Sequence, residues 1–307
     1  MKFSQSISPL ILGTSITTAL VITLPQTAQA LSGTEVNDIA REITVLITSE
    51  NSGHGSGVIV AKNDKTYYVL TAYHVVQSQD NYKLVAPDKQ AYAIDYSKVK
   101  RLPDVDLAIL EFTSDRNYQI AKLSNATTSE GQEMFVSGWP GLASVGNEAG
   151  GGLVRQFTSG SISGFLPQPY QGYQIIYTNV TRGGMSGGPV LDAGGRVIGI
   201  HGLGDKEDPS QLLAEGFSEE AASIASKIKP GFNYAIPIET CLQKASQARI
   251  YLGWQVDSSP APSLGTPYQA STQPDPRDTI DDLNQTLNTI NNVGNTIRNI
   301  TNIFRGF

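Results

Sequence analysis

Four glycines within six residues, Gly183, Gly184, Gly187 and Gly188, enclose one serine in the stretch TNVTRGGMSGGPV, residues 178 to 190. That density excludes helix and regular strand, because glycine loses the most backbone freedom on ordering and belongs to tight turns and close approaches. Ser186 therefore sits on a turn with exposed amides, where the N–H groups of Gly184 and Ser186 can converge on one oxygen. Donors aimed in this way form an oxyanion hole. A serine hydroxyl is a weak nucleophile at neutral pH, so chemistry at Ser186 needs a base held against it and a third group to orient that base.

The chain around the turn is written mainly in strands. ITVLIT (43 to 48), GSGVIVAK (55 to 62) and YYVLTAYHVV (67 to 76) are β-branched and aromatic runs separated by polar turns, the pattern of antiparallel strands. His74 falls at the end of the third, at a sheet edge facing a cleft. DVDLAILEF follows, with Asp106 entering an apolar strand from Leu107 to Phe112. A carboxylate half-buried there needs a partner, and a histidine N–H would serve it while fixing the ring tautomer. Taken singly, His74 also reads as a hydrogen-bonded edge histidine and Asp106 as a turn residue bonded to backbone. Asp104, further from the apolar run, reads as a solvated loop residue. EMFVSGWPG, GGLVRQFTSGSISGF, IIYTNV and PVLDAGGRVIGIHG continue the strand pattern, the last as a hairpin turning at Gly194-Gly195. Many short strands with glycine turns predict an all-β fold.

Three stretches depart from it. Residues 34 to 43 predict a short N-terminal helix with Thr34 as N-cap. Residues 205 to 229, with acidic residues after Ser218 and lysines at the end, predict a helical insertion. Residues 233 to 252 give a strand and a closing helix with Ile238, Cys241, Ala245, Ala248 and Leu252 on one face.

Met1 and Lys2 precede a largely apolar run from Leu10 to Leu24 and small residues at Ala28-Gln29-Ala30, so residues 1 to 30 read as a secretory signal peptide. The expected destination is the periplasm or the medium. Cys241 is the single cysteine, so burial and hydrogen bonds hold the fold without an internal disulfide, and Cys241 itself reads as a small buried apolar residue. Lys and Arg number 22 against 28 Asp and Glu, a net charge of -6, which argues against nucleic acid as a partner. The compact domain is expected over residues 31 to 254. Residues 255 to 279, rich in Pro, Ser, Thr and Gln, read as a flexible linker. In residues 280 to 307 an apolar stripe from Ile280 through Leu283, Leu287 and Ile290 to Ile303 runs through Asn and Thr, which leaves open a frayed tail or a helix that self-associates or docks a partner.

With LTAYHVV, DVDLAIL and GGMSGGPV in that order, residues 43 to 252 resemble trypsin-like serine proteases, and the GSGVI, TSGSIS and NYAIPI stretches are similar to the disulfide-free HtrA-type branch. The resemblance implies two six-stranded antiparallel barrels. It makes His74 the general base and then acid, Asp106 its orienter, Ser186 the nucleophile, and the Gly184 and Ser186 amides the oxyanion hole. It implies protein or peptide substrates, no cofactor and no metal. Met185 stands where digestive proteases carry an aspartate, and nothing after Trp254 resembles a PDZ domain. By the same resemblance Val180 lies at the base of the specificity pocket, disfavouring Lys or Arg. Thr181 and His201 match the positions where bacterial glutamyl endopeptidases bind a substrate carboxylate, chemistry that a hydroxyl and an imidazole N–H can perform. His54 reads as a surface residue.

Overall fold

A computed structural model describes residues 30–141, 152–204, 219, 231–263 and 275–280. The β-branched runs become strands as their composition requires. β1 (Thr44–Ser49), β2 (His54–Asn63), β3 (Thr66–Ala72), β4 (Tyr82–Val85), β5 (Ala91–Ala93), β6 (Lys100–Arg101) and β7 (Leu107–Thr113) form one sheet in the order β5-β4-β1-β2-β3-β7-β6. A second sheet contains β8 (Lys122–Ser124), β9 (Glu133–Gly138), β11 (Gln156–Tyr170), β12 (Tyr173–Tyr177), β13 (Pro189–Leu191), β14 (Val197–Gly204), β15 (Asn233–Pro237) and β16 (Gln255–Asp257), while β10 (Leu153–Val154) pairs with β17 (Thr279–Ile280). Within the second sheet β13, β9, β11, β12, β15 and β14 follow one another, and β13 pairs back onto β14. Six strands thereby close into a barrel.

The expectation of two closed antiparallel barrels is met for one of them. The first sheet stays open because its edges are too short to meet: β5 has three residues and β6 two, both of the latter exposed and basic, the usual way an edge is kept from further pairing. β8 also runs parallel to β14 and to β16, so the second sheet is not wholly antiparallel.

Each sheet has its own apolar interior. Val45, Ile47, Ile59, Tyr67, Val69, Leu84 and Leu110 fill the first, and Met134, Val136, Ile162, Ile175, Tyr177, Val190 and Ala235 fill the second. A third cluster joins Leu70 and Leu107 to Tyr173, Ile200 and Ile236 and takes in both helices. α1 (Gly33–Ile43) is capped by Ser32 instead of Thr34: its hydroxyl accepts from the Glu35 amide, and the Glu35 carboxylate accepts from the Ser32 amide at 2.7 Å. This reciprocal capping satisfies two amides that a helix start leaves open. α2 (Ile238–Gln247) buries Ile238, Cys241 and Ala245 as their spacing predicts, but it ends before the other two residues expected on that face, Ala248, which is exposed, and Leu252; enclosure pushes the Cys241 thiol up to about 12.

The stretch expected to be a flexible linker is anchored at both ends. The buried Arg196 guanidinium, paired with Asp192 at 2.7 Å, donates to the carbonyls of Ser259 at 2.9 Å and Pro260 at 3.2 Å. At the other end Ile280 is 2% exposed. Asp278 accepts from Arg155 at 2.6 Å and from both Nε and a terminal nitrogen of Arg41 at 3.0 Å. A composition too polar to build its own core can still be held where a few side chains answer buried charges already present. The proposed signal segment, the helical insertion apart from Glu219 and the tail beyond Ile280 lie outside the described residues.

Candidate active site

The register of two strands brings the first two site residues together. Ala72 ends β3 opposite Leu107, the first residue of β7, so His74, on the short 3₁₀ turn Tyr73–Val75 that follows β3, meets Asp106, which precedes β7. Asp106 accepts twice from the same residue: its Oδ1 takes the His74 amide at 2.8 Å and its Oδ2 takes ring Nδ1–H at 2.6 Å. A carboxylate only accepts, so the ring proton lies on Nδ1 and the lone pair on Nε2. Burial on its own would raise the Asp106 pKa, but donation from His74 and from the Tyr173 phenol outweighs it and holds the carboxyl below its usual range.

Tyr173 went unread in the sequence. Its hydroxyl donates to Asp106 Oδ2 at 2.6 Å, and burial followed by the charge of Asp106 pushes its pKa well up, keeping it a protonated donor. The phenol occupies the place a side chain at position 202 would need: a Cβ on Gly202 would lie 1.9 Å from the Tyr173 oxygen. The only sequence signal was general, since a tyrosine in an apolar strand needs a partner for its hydroxyl.

Ser186 is brought in from the barrel. Its carbonyl accepts from the Ser56 amide at 2.8 Å. At Gly187, whose φ is +87°, a Cβ would lie 2.1 Å from both the Ser56 carbonyl and Thr71 Oγ1. Only glycine lets this turn seat itself against the end of β3, next to the turn that carries His74. The Ser186 hydroxyl donates to the Gly202 carbonyl at 3.1 Å, so this structure holds it in a resting rotamer turned toward the backbone. Neither the Gly184 nor the Ser186 amide donates to a protein acceptor among the described residues. Gly184 has a φ of +96°.

The specificity positions divide. Asn179 is fully buried and donates to the Met134 and Thr158 carbonyls, at 3.3 and 2.8 Å, while its own carbonyl accepts from Asn233 at 2.6 Å. Alternation along the extended chain then turns Val180 outward, 69% exposed, and Thr181 inward, where its hydroxyl donates to the Asn233 side chain. Val180 is thus exposed and Thr181 enclosed. His201 is fully buried, with the Tyr177 hydroxyl 2.5 Å from its Nδ1. Burial pushes the Tyr177 pKa well up, so the phenol keeps its hydrogen and donates it, which leaves the imidazole proton on Nε2. Asp104 is exposed and pairs with Lys244 at 3.2 Å, as a solvated loop residue does. Among the described residues no group of three His, Cys, Asp or Glu side chains gathers to hold a metal ion.

Residues 55–200 match the model of the trypsin-like peptidase domain. The chain is 26% identical over 210 residues to the serine protease Do-like HtrA of Bacillus subtilis, covering 66% of this chain and 42% of that protein. It is 29% identical over 214 residues to a probable periplasmic serine endoprotease, DegP-like, of Brucella suis, covering 66% and 35%. The chain thus spans less than half the length of these curated relatives. Among solved structures, Rv3671c from M. tuberculosis in an inactive form aligns with a TM-score of 0.51 at 17% identity, over 73% of this chain and 96% of that one. The HtrA-type protease AlgW with a tripeptide aligns with a TM-score of 0.53 at 21% identity, over 73% and 65%. These two likenesses concern the fold. Together with the geometry around Ser186, the match makes residues 55–200 similar to the trypsin-like peptidase domain and to the serine proteases of the HtrA and DegP type, on the fold of those proteases.

Proposed function

We propose that this chain is an exported serine endopeptidase that hydrolyses peptide bonds through an acyl-enzyme on Ser186. The observation that carries this reading is the double attachment of His74 to Asp106, which leaves the lone pair on Nε2, just past the end of the strand against which the serine turn is seated. The Ser186 hydroxyl rotates from the Gly202 carbonyl to that lone pair and gives up its proton as Oγ attacks the substrate carbonyl. The Gly184 and Ser186 amides receive the oxyanion, and Asp106, kept ionised, stabilises the imidazolium. His74 then protonates the leaving amine, and water releases the acyl group by the reverse proton path. Export rests on residues 1 to 30 and on relatives named as periplasmic. Labelling with a peptidyl phosphonate tests the chemistry: wild type should be modified and Ser186→Ala should not. Absence of labelling in the wild type would favour a binding protein on a protease fold.

For specificity the reading is cleavage after glutamate. It is supported by Thr181 and His201 standing at the two positions that the resemblance gives to carboxylate recognition, and by a His201 tautomer that carries its proton on Nε2. A preference for small apolar residues is favoured instead by one contact, the commitment of the Thr181 hydroxyl to Asn233. Two peptides differing only in Glu or Gln before the scissile bond separate these. A preference for Glu of about 100-fold, roughly 2.7 kcal/mol, that His201→Ala erases supports the first reading. Equal cleavage of both peptides supports the second.

A further inference from the structure

The proposed reaction uses His74, its specificity reading uses His201, and His54 is left over. It is not the surface residue its sequence setting suggested. Its ring Nε2–H donates to the Trp139 carbonyl at 3.0 Å, and burial holds its pKa below the usual histidine value although that carbonyl works the other way. The ring edge lies against the backbone of Gly184: a Cβ built on Gly184 would fall 2.3 Å from His54 Nε2 and 2.4 Å from the Trp139 oxygen. Gly184 is thus glycine for two reasons, its φ of +96° and the imidazole occupying its side-chain space.

The surrounding hydrogen bonds concern the same peptide units. Gly141 N–H donates to the Gly183 carbonyl at 2.9 Å. Ser56 Oγ accepts from the Trp139 amide at 2.9 Å and donates to the Gly184 carbonyl at 2.8 Å. The peptide whose N–H belongs to Gly184 is therefore fixed at its carbonyl end by Gly141 and at its α-carbon by His54. A turn this rich in glycine has little stiffness of its own, so the direction of that N–H is set by what is packed against it.

Resting on the reading of Ser186 as the acylated residue, we infer that His54 is a positioning residue for the oxyanion hole, wedging the Gly184 amide into its direction while the Trp139 carbonyl holds the ring. Its effect belongs to the transition state, because the substrate carbonyl draws on the oxyanion donors far less than the tetrahedral oxyanion does.

The experiment compares steady-state cleavage by the full chain in wild type, His54→Ala, His54→Leu, His54→Gln and Ser186→Ala, each checked for wild-type unfolding behaviour. Glutamine places an amide nitrogen where Nε2 stood, and leucine fills the space without a donor. The expected result is a kcat lower by about 10- to 100-fold in His54→Ala and His54→Leu, less than loss of a whole oxyanion donor causes, with KM within about threefold. In His54→Gln, kcat should return to within about threefold of wild type. Should alanine fail to fold, the leucine and glutamine pair carries the same comparison. Wild-type kcat in the alanine or leucine variant overturns the inference, as does a loss confined to KM, or a glutamine variant as slow as leucine. Wild-type turnover by Ser186→Ala would instead overturn the acyl-enzyme reading, a separate and visible failure.

Discussion

Asp106, which is buried, and Asp278, which is half-buried, are both carboxylates held by short hydrogen bonds, yet their surroundings differ in kind. Asp106 lies in the seam between the two sheets and is served by an imidazole, an amide and a phenol, all neutral when the ring is neutral. Asp278 lies in the segment that returns from the C-terminal side and is served by two guanidiniums, Arg41 and Arg155, that carry full charges at all relevant pH. The negative charge of Asp278 is already matched and can do little but hold its partners in place. That of Asp106 is stabilised by dipoles alone and stays available to a proton arriving on His74. The difference separates a carboxylate arranged for reaction from one arranged for stability.

Neutralising each carboxylate should therefore give opposite results. Asp106→Asn is expected to lower kcat/KM by about 10⁴-fold, because an amide no longer fixes the His74 tautomer, with a small change in unfolding midpoint; a loss below about tenfold would end the distinction from the catalytic side. Asp278→Asn is expected to leave the kcat of the folded protein near wild type. It should remove at most about 3 kcal/mol of stability, since Arg155 and Arg41 lose a shared carboxylate while Arg41 keeps Asp38 and Asp275, and denaturant unfolding measures this directly.

Tyr173→Phe tests whether the neutral donors matter at Asp106. Losing one hydrogen bond to a charged acceptor is worth about 1.5 to 3 kcal/mol at most, so a decrease in kcat of about tenfold is expected, accompanied by a raised acid limb in the pH profile as the Asp106 carboxyl becomes easier to protonate. The smallest effect lies in the pH dependence of stability. Asp278 has a pKa below its unfolded value because the arginines outweigh burial, so its contribution is complete above the ordinary carboxylate pKa of about 3.9 and is lost as the pH falls through the lower, folded value. The thermal midpoint of wild type should fall as the pH drops below about 4, and that of Asp278→Asn should fall less steeply.

His74, Asp106 and Ser186 were legible because each lies in a short local pattern: a strand end, a strand start and a glycine turn. Strand register alone then joins the first two. Tyr173 was not legible, since its phenol reaches Asp106 from 67 residues away in sequence and no local pattern marks the meeting. The outward direction of Val180 was not legible either, because the buried Asn179 decides which way the chain alternates there. The returning segment was misread for a related reason. Its composition describes an average, whereas its attachment depends on Asp278 and Ile280, and the arginines they answer are written elsewhere in the chain. Open sheet against closed barrel was equally hidden, because closure depends on whether edge strands are long enough to meet.

The returning segment also imposes an order of events on the newborn chain. Asp278 is separated from Arg155 by 123 residues and from Arg41 by 237. A ribosome therefore finishes both described helices, the first sheet and the whole barrel before the carboxylate that Arg41 and Arg155 share exists. Until it emerges, Arg41 and Arg155 lack the carboxylate they share, and β10 lacks the strand that pairs with it. The folded domain is completed by nearly the last of its described residues to be made.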